Sequence, residues 1–339
     1  MKHIIVRSFP DDELAARWRT FLDRAPFATH YLTPNYFTDP YVYGERFALL
    51  AIDDSDAIAA AMTGTINGDR IVSGMFSRPQ LAFCEGADKA AACEALYDGL
   101  NALGAASKLT EVYSWEPVGF GSLGMKVRSS GGDTSVVLLD LAKGADALFA
   151  EFSQTRRNEI RKAERLGLLE IKELETEKEI DEIYRIHCDW NARKGRTPDT
   201  IEQMRTAIAN RDNRRVFIAK ADGKTIAGSF YRFSMGGVVE YAANFSLPEY
   251  QRLRPNDVIG WHAIKWACEN GSRYFSMGGS HLFLRRFGGE VLTTYRYRRD
   301  ASTFRLHDLR ENARAIGMGA YHRLPASVRA GVKRILARQ

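Results

Sequence analysis

A repeated order of elements constrains this chain more than any single motif. A strand pattern over 4–6 precedes a helical stripe of Leu14, Trp18, Phe21 and Leu22 over 11–25. A segment rich in Tyr, Thr and Pro, 28–44, reads as irregular. Strands over 47–52, 58–66 and 71–76 follow, the last two joined by the hairpin turn Asn67-Gly68-Asp69. A helix over 87–103 and strands over 109–115 and 135–141 close the series. The same order returns with a strand over 171–174. Thr176 then opens a helix with Glu179 three residues on, a capping box, and Ile180, Ile183, Tyr184, His187 and Trp190 form its buried stripe. A second helix covers 200–210. Strands over 216–220, 226–233 and 238–245 follow, with Met235-Gly236-Gly237 as a turn. A helix over 258–270, stopped by Gly271, leads to strands over 273–277 and 293–299.

Matching elements lie about 160–170 residues apart, as expected of two copies of one unit. The fold class is therefore α/β of the α+β type, with two tandem units, each a mixed, mainly antiparallel sheet flanked by helices. The expected division is a first unit over 1–152, a basic linking helix over 153–167, a second unit over 168–301 and a helical tail over 302–339. A length of 339 residues suits two domains of about 150 each. The tail carries a short basic pattern over 327–338 with Arg329, Lys333, Arg334 and Arg338. That pattern fits the solvated face of a docked terminal helix, or peripheral contact with anionic lipid.

Composition narrows the setting. Hydrophobic content of 45% is ordinary for a globular protein. No window approaches the roughly 18 apolar residues of a membrane span, and the first seven residues are too short for a signal peptide. Cys84, Cys93, Cys188 and Cys268 are scattered, without metal-ligand spacing, so reduced thiols in a cytoplasmic protein and no metal are expected. The net charge of +6 favours an anionic partner without identifying one.

The linking helix is the most basic stretch. On a helical wheel Arg157, Arg161 and Arg165 fan out beside an apolar face of Phe149, Phe152, Ile160 and Ala163, and Arg156 falls on that face. An inward guanidinium needs a carboxylate or an anion, so Arg156 is either an ion-pair partner in the domain interface or a phosphate contact between the units.

Three stretches together carry a family resemblance. They are Thr155-Arg156-Arg157-Asn158-Glu159-Ile160-Arg161-Lys162-Ala163-Glu164; Pro255-Asn256-Asp257 leading into a helix with Trp261, His262 and Trp266; and Met277-Gly278-Gly279-Ser280 followed by Arg285-Arg286-Phe287-Gly288-Gly289. With the duplicated unit, they resemble the FemAB-like branch of the GNAT acyltransferase superfamily. The resemblance implies two GNAT-like domains. It also implies amide formation, in which an aminoacyl group passes from aminoacyl-tRNA to an amine of a cell-wall or small-molecule precursor. In the family's basic turn a Phe-Lys pair usually precedes Phe-Gly; here Phe283-Leu284 stands there, with Arg285 and Arg286 just after. Ser280 and Arg286 are the preferred donor contacts, with Arg156, Arg157, Arg161, Asn256, Asp257, His262, Arg285 and Phe287 as further binding candidates. Glu240, Tyr241 and Asn244 on the central strand, and His281 in the basic turn, are the catalytic candidates. Alternation places Glu240 and Asn244 on one face and Tyr241 on the other. Glu240 is either the acceptor of the amine proton or an exposed strand carboxylate; His262 and His281 are bases, phosphate contacts or structural hydrogen-bonders; Asn256 is also a candidate helix cap.

The donor divides the readings. A usual GNAT site cradles the pyrophosphate of acetyl-CoA in a glycine-rich turn before the helix that follows the central strand. Here 251–257 has no glycine and carries Asp257, and 83–88 also lacks the pattern. The first expectation is thus aminoacyl-tRNA as co-substrate, with tRNA rather than DNA as the nucleic acid and no separate cofactor. The second is acyl-CoA-dependent acylation of a sugar amine or amino acid, which a CoA-sized groove splitting two central strands would favour. The third is a non-catalytic RNA- or nucleotide-binding relative.

Overall fold

A computed structural model describes residues 1–104 and 107–323; the basic pattern at 327–338 lies outside the described residues. The first half runs β1 (Lys2–Val6), α1 (Asp12–Arg24), β2 (Glu45–Ile52), β3 (Ile58–Asn67), β4 (Arg70–Ser73), β5 (Leu81–Phe83), α2 (Lys89–Leu103), β6 (Leu109–Ser114), β7 (Lys126–Ser129) and β8 (Val136–Asp140). Helices α3 (Ala145–Glu151) and α4 (Gln154–Leu166) join it to the second. There the order is β9 (Glu170–Glu173), α5 (Glu177–Arg193), α6 (Ile201–Ala209), β10 (Arg214–Ala221), β11 (Lys224–Phe233), β12 (Val238–Ser246), α7 (Pro255–Glu269), β13 (Tyr274–Ser276), α8 (Leu282–Arg285), β14 (Glu290–Leu292), β15 (Tyr295–Asp300) and α9 (Leu306–Arg323).

The local signals act as chemistry demands. Thr176 and Glu179 close the capping box of α5, and Thr200 and Gln203 make another on α6. Gly167 ends α4 in the left-handed conformation. The apolar wheel needs one correction. Phe152 is extended and separates α3 from α4, so Phe149 and Phe152 belong to the preceding helix and its end rather than to α4. Their rings still reach the same core as Ile160, because the break folds α3 back beside α7. The helix after the central strand begins at Pro255, which suits a first helical position because it lacks an N–H.

The strands form two sheets, β1-β2-β3-β4-β6-β15-β7, with β5 also on β3, and β14-β8-β13-β12-β11-β10-β9. Two strands cross between the halves. The strand expected to close the first copy, β8, pairs with β13 and β14 in the second sheet. The strand expected to close the second, β15, runs between β6 and β7 in the first. Each sheet has apolar cores on both faces: α2 and α1 cover the first, α7 and the α5–α6 pair the second. The 28–44 segment contains two short 3-10 turns and packs between the halves. The Val238 N–H donates to the Ala28 carbonyl at 2.8 Å, Arg214 pairs with buried Asp39, and Phe27 stacks on Trp115 and Tyr274. The halves are therefore held by exchanged strands, by buried charge and by aromatic contact.

Candidate functional site

The second sheet opens at its centre. β12 and β13 run parallel, but their pairing ends at Glu240 with Ser276, while β12 continues to Ser246. The splay leaves a cleft of about 370 Å³ along Tyr241–Phe245, with Met277, Gly278, His281 and Leu284 on one wall and His187, Trp190 and Asn191 of α5 on the other. Gly278 sits in the left-handed region at φ 70°, and a Cβ there would stand 2.9 Å from the Tyr241 carbonyl. The Met-Gly-Gly-Ser motif thus lets the β13 turn approach the open edge of β12.

A bulge sits at the same point. Tyr231 pairs with Tyr241 and Phe230 with Ala243, so Ala242 is an extra residue in β12. It reverses the expected alternation. Asn244 now shares the face of Tyr241, and Glu240 lies on the face of Ala243 and Phe245.

Glu240 is not an exposed strand carboxylate. It is 2% exposed and pairs with Arg232 at 2.7 Å and with Arg78 at 2.6 Å. Burial alone would raise its pKa, but Arg232 and Arg78 outweigh burial and hold it below the usual glutamate range. A carboxylate so stabilised is a poor acceptor for an amine proton; it anchors two guanidiniums. The Tyr241 hydroxyl is buried and has no hydrogen-bond partner among the described residues. Burial, then nearby Asp257, pushes its pKa up, so it remains a proton donor. His187 is kept neutral by burial, which lowers its pKa against the opposing pull of Asp199. Its Nε2 accepts from the Asp199 backbone N–H at 3.0 Å, so the ring holds the loop between α5 and α6 against the cleft.

Behind the cleft, Arg156 is buried and pairs with Asp257 at 2.7 Å, and its Nη2 donates to the Phe283 carbonyl at 3.0 Å. Its guanidinium lies 3.9 Å from the centre of the Phe287 ring and 4.5 Å from that of Phe283. This is the ion-pair reading of Arg156. Burial pushes Asp257 up and Arg156 down, each opposing the shift of the other. Asp257 therefore faces a guanidinium, and Phe287 is a buried platform for that guanidinium.

Several expected contacts stand elsewhere. The buried Ser280 hydroxyl donates to the Gly132 carbonyl at 2.7 Å. Arg157 donates to the Ala150 and Phe152 carbonyls at the end of α3, and Arg161 lies over Phe149. Asn256 is the second residue of α7, after Pro255, and not its cap; its amide donates to the Ser246 hydroxyl at 3.2 Å. His262 packs edge-on against Phe217 on the inner side of α7, away from the cleft. Arg285, the last residue of α8, and Arg286 just after it are exposed, Arg285 donating to the Ser280 carbonyl. Of the catalytic candidates, Tyr241, Asn244 and His281 line the cleft. Arg78, His187, Asn191, Arg196 and Asp199 also line it. His187 carried a sequence signal as part of a helical stripe; Arg78, in a turn of the other half, carried none.

Residues 150–299 match the model of the acetyltransferase (GNAT) domain family. Among solved structures, the chain is similar to FemX, with a TM-score of 0.66 and 10% identity over 87% of this chain and 97% of that one. It is also similar to the C-terminal domain of a putative lysylphosphatidylglycerol synthetase from Agrobacterium fabrum, with a TM-score of 0.59 and 14% identity over 88% and 95% of the two chains. A tandem GNAT protein from the clavulanic acid biosynthesis pathway aligns with a TM-score of 0.51 and 12% identity over 89% and 99%. No curated protein matches the sequence.

Proposed function

We propose that the chain is a GNAT-superfamily acyltransferase, as the match over residues 150–299 and the FemX-like fold support, and that it transfers an aminoacyl group from aminoacyl-tRNA to an amine of a cell-wall or small-molecule precursor. The observation that carries the choice of donor is the first turn of α7. A pyrophosphate there needs free backbone N–H groups. Pro255 has none, and the N–H groups of Asp257 and Val258 donate to the Arg254 carbonyl at 3.0 and 3.2 Å. The acidic Asp257 side chain also occupies this turn, held by Arg156. Outside it, Arg161, Lys162, Arg165, Arg252, Arg285 and Arg286 are exposed, a distribution suited to a polyanion whose binding weakens with salt.

In this reading the acceptor amine arrives neutral in the cleft and attacks the ester carbonyl. The C–N bond forms, the ester C–O bond breaks, and the amine proton passes to the departing ribose oxygen. Asn244 and His281, which line the cleft, are the side chains that meet the oxygen on which charge develops, while the Tyr241 hydroxyl stays buried behind it. The cleft walls supply alignment, which can account for much of the rate.

A specific observation favours a second reading. The opening between β12 and β13 is a groove that splits two central strands, as an acyl-CoA donor would require. The two are separated by incubating the protein with an amine panel and either charged tRNA or acetyl-CoA, and detecting the amide by mass spectrometry. Product with charged tRNA, and a melting temperature unchanged by CoA, is expected. Turnover with acetyl-CoA alone would overturn the tRNA reading; CoA at about 100 times its dissociation constant would stabilise the protein by about 2.7 kcal/mol. A cytoplasmic location is part of this proposal; among the described residues no helix is long and apolar enough to cross a membrane.

A further inference from the structure

The cleft of the second half contains a guanidinium supplied by the first. Between β4 and β5 the chain leaves the sheet, and the excursion over 74–80 brings Arg78 to the bulge of β12. Its Nε lies 2.6 Å from Glu240, and its Nη2 makes a long 3.4 Å contact to the Ala242 carbonyl. Among the described residues, Nη1 has no hydrogen-bond or ion-pair partner, and the side chain is 25% exposed.

Charge counting around it leaves a surplus. Glu240 is shared by Arg78 and Arg232, while Asp39 is taken by Arg214. Three guanidiniums therefore face two carboxylates, and the uncompensated charge is at the cleft surface, on Arg78. Arg78 is paired through Nε but partly exposed, and a planar guanidinium with a free edge matches a carboxylate in shape and charge. At the opposite wall Asp199 offers a half-exposed carboxylate that suits an ammonium before it loses its proton.

We infer that Arg78 is a specificity residue that receives a carboxylate on the acceptor, so that the amine substrate is an amino acid or a peptide-like molecule with a free carboxylate. This rests on the reading of the cleft as the place of amide formation. It excludes neutral amino sugars as good acceptors. It also gives the first half a part in choosing the substrate of the second.

The test uses matched acceptors: lysine against lysinamide, β-alanine against β-alaninamide, and glycylglycine against its amide. Each is assayed for transfer from charged tRNA and from acetyl-CoA, and for direct binding by calorimetry with the full chain. In the wild type the free carboxylate of at least one pair should be preferred in KM by about tenfold to a hundredfold, the range of a charge-assisted contact. Arg78→Gln should abolish that preference through KM with kcat little changed, and Arg78→Lys should restore part of it. Equal use of acid and amide by the wild type, or a preference that survives in Arg78→Gln, would overturn the assignment. If neither donor supports transfer, the functional reading fails, and calorimetry decides the role of Arg78 on its own. Carboxylate binding lost in Arg78→Gln sustains that role, and no carboxylate preference in the wild type removes it. If Arg78→Gln does not fold, because Glu240 loses a partner, Arg78→Lys and the wild-type pairs carry the same decision.

Discussion

The two halves place the same elements around two different clefts. In the second half, β12 is continuous, bulges at Ala242 and splays from β13, and the opening is lined with polar groups. In the first half, the strand at the same position is cut in two. β4 pairs in parallel with β6 as far as Ser73 with Val112, and β5 resumes against β3. The corresponding space beyond β5 and β6 is about 230 Å³; Phe27, Phe83 and Trp115 wall it, and the charged Lys89 and Glu116 that also line it are paired with each other. Phe27 lies stacked between Trp115 and Tyr274 at centroid distances of 5.7 and 4.8 Å, so aromatic packing against the other half closes that end. One strand position thus keeps its opening, and its counterpart yields its middle to the turn that carries Arg78 across. A duplicated fold can diverge in this way, because interrupting the central strand narrows one cleft while its turn lines the other.

The helices beneath the two clefts show the same divergence, and disturbing them gives the largest effects. In α7 the Asp257 carboxylate depends on Arg156. Arg156→Ala should destabilise the protein by about 3–5 kcal/mol, because it leaves a buried carboxylate without its partner. Denaturant unfolding measures this, and the double change Arg156→Met with Asp257→Leu should recover most of the loss. A loss under about 1 kcal/mol would mean that the pair is solvated and that the second half is not built on it. Trp115→Ala, which opens the first-half space, should cost a similar 3–5 kcal/mol by creating a cavity. Its turnover below the melting temperature should equal that of the wild type. Lost turnover in a folded Trp115→Ala protein would break the division between an active and a structural cleft.

Acid should act on the seam between the halves. His30 is buried with its Nε2 3.3 Å from Asp39, and Arg232, Arg214, Glu240 and Tyr31 also surround it. Burial, helped by the two arginines and opposed by Asp39, lowers its pKa to about 3. The unfolded chain then binds a proton at about pH 6.5 that the native chain refuses, so stability falls as pH drops below that value. Between pH 6.5 and 5 the loss should be about 2 kcal/mol from this group. The depressed pKa of Asp39 adds a loss of the same sign at lower pH. His30→Gln should flatten the upper part of that slope in melts between pH 5 and 7. An unchanged slope would place the acid sensitivity outside the seam.

What the sequence made legible is what is decided locally. Capping boxes, the Asn67-Gly68 turn, the Gly167 stop and the inward position of Arg156 all depend on neighbours within one or two helical turns. The order of the longer strands was legible for the same reason, but the short strands β5, β7 and β14 were not, nor was the sheet to which each strand belongs. β8 and β15 have ordinary strand patterns, and nothing in them says which sheet they will join. The candidate site was less visible. Ala242 has no signature of a bulge, yet this one extra residue reverses the faces of Glu240 and Asn244. Ser280 looked like a ligand contact but gives its hydroxyl to a carbonyl 148 positions away in sequence. Arg78 stands beside Pro79 in a turn, and only the assembled fold brings it 2.6 Å from Glu240.

The smallest effect is the sharpest control on the comparison of the two helices. α2 begins after Asp88, whose carboxylate accepts from the Ala90 and Ala91 N–H groups at 3.0 and 3.1 Å. This acid is exposed and satisfied by the backbone of its own helix, whereas Asp257 is buried and satisfied by another helix. Asp88→Ala should therefore cost only about 1 kcal/mol, the usual value of a helix cap, and Asp88→Asn or Asp88→Ser should restore it, because each still presents an oxygen to the same N–H groups. Asp257→Asn offers no such rescue, since Arg156 needs a charge and not merely an acceptor. Equal losses for Asp88→Asn and Asp257→Asn in denaturant unfolding would show that both acids act as caps. The distinction between a locally capped helix in the first half and a cross-braced one in the second would then fall.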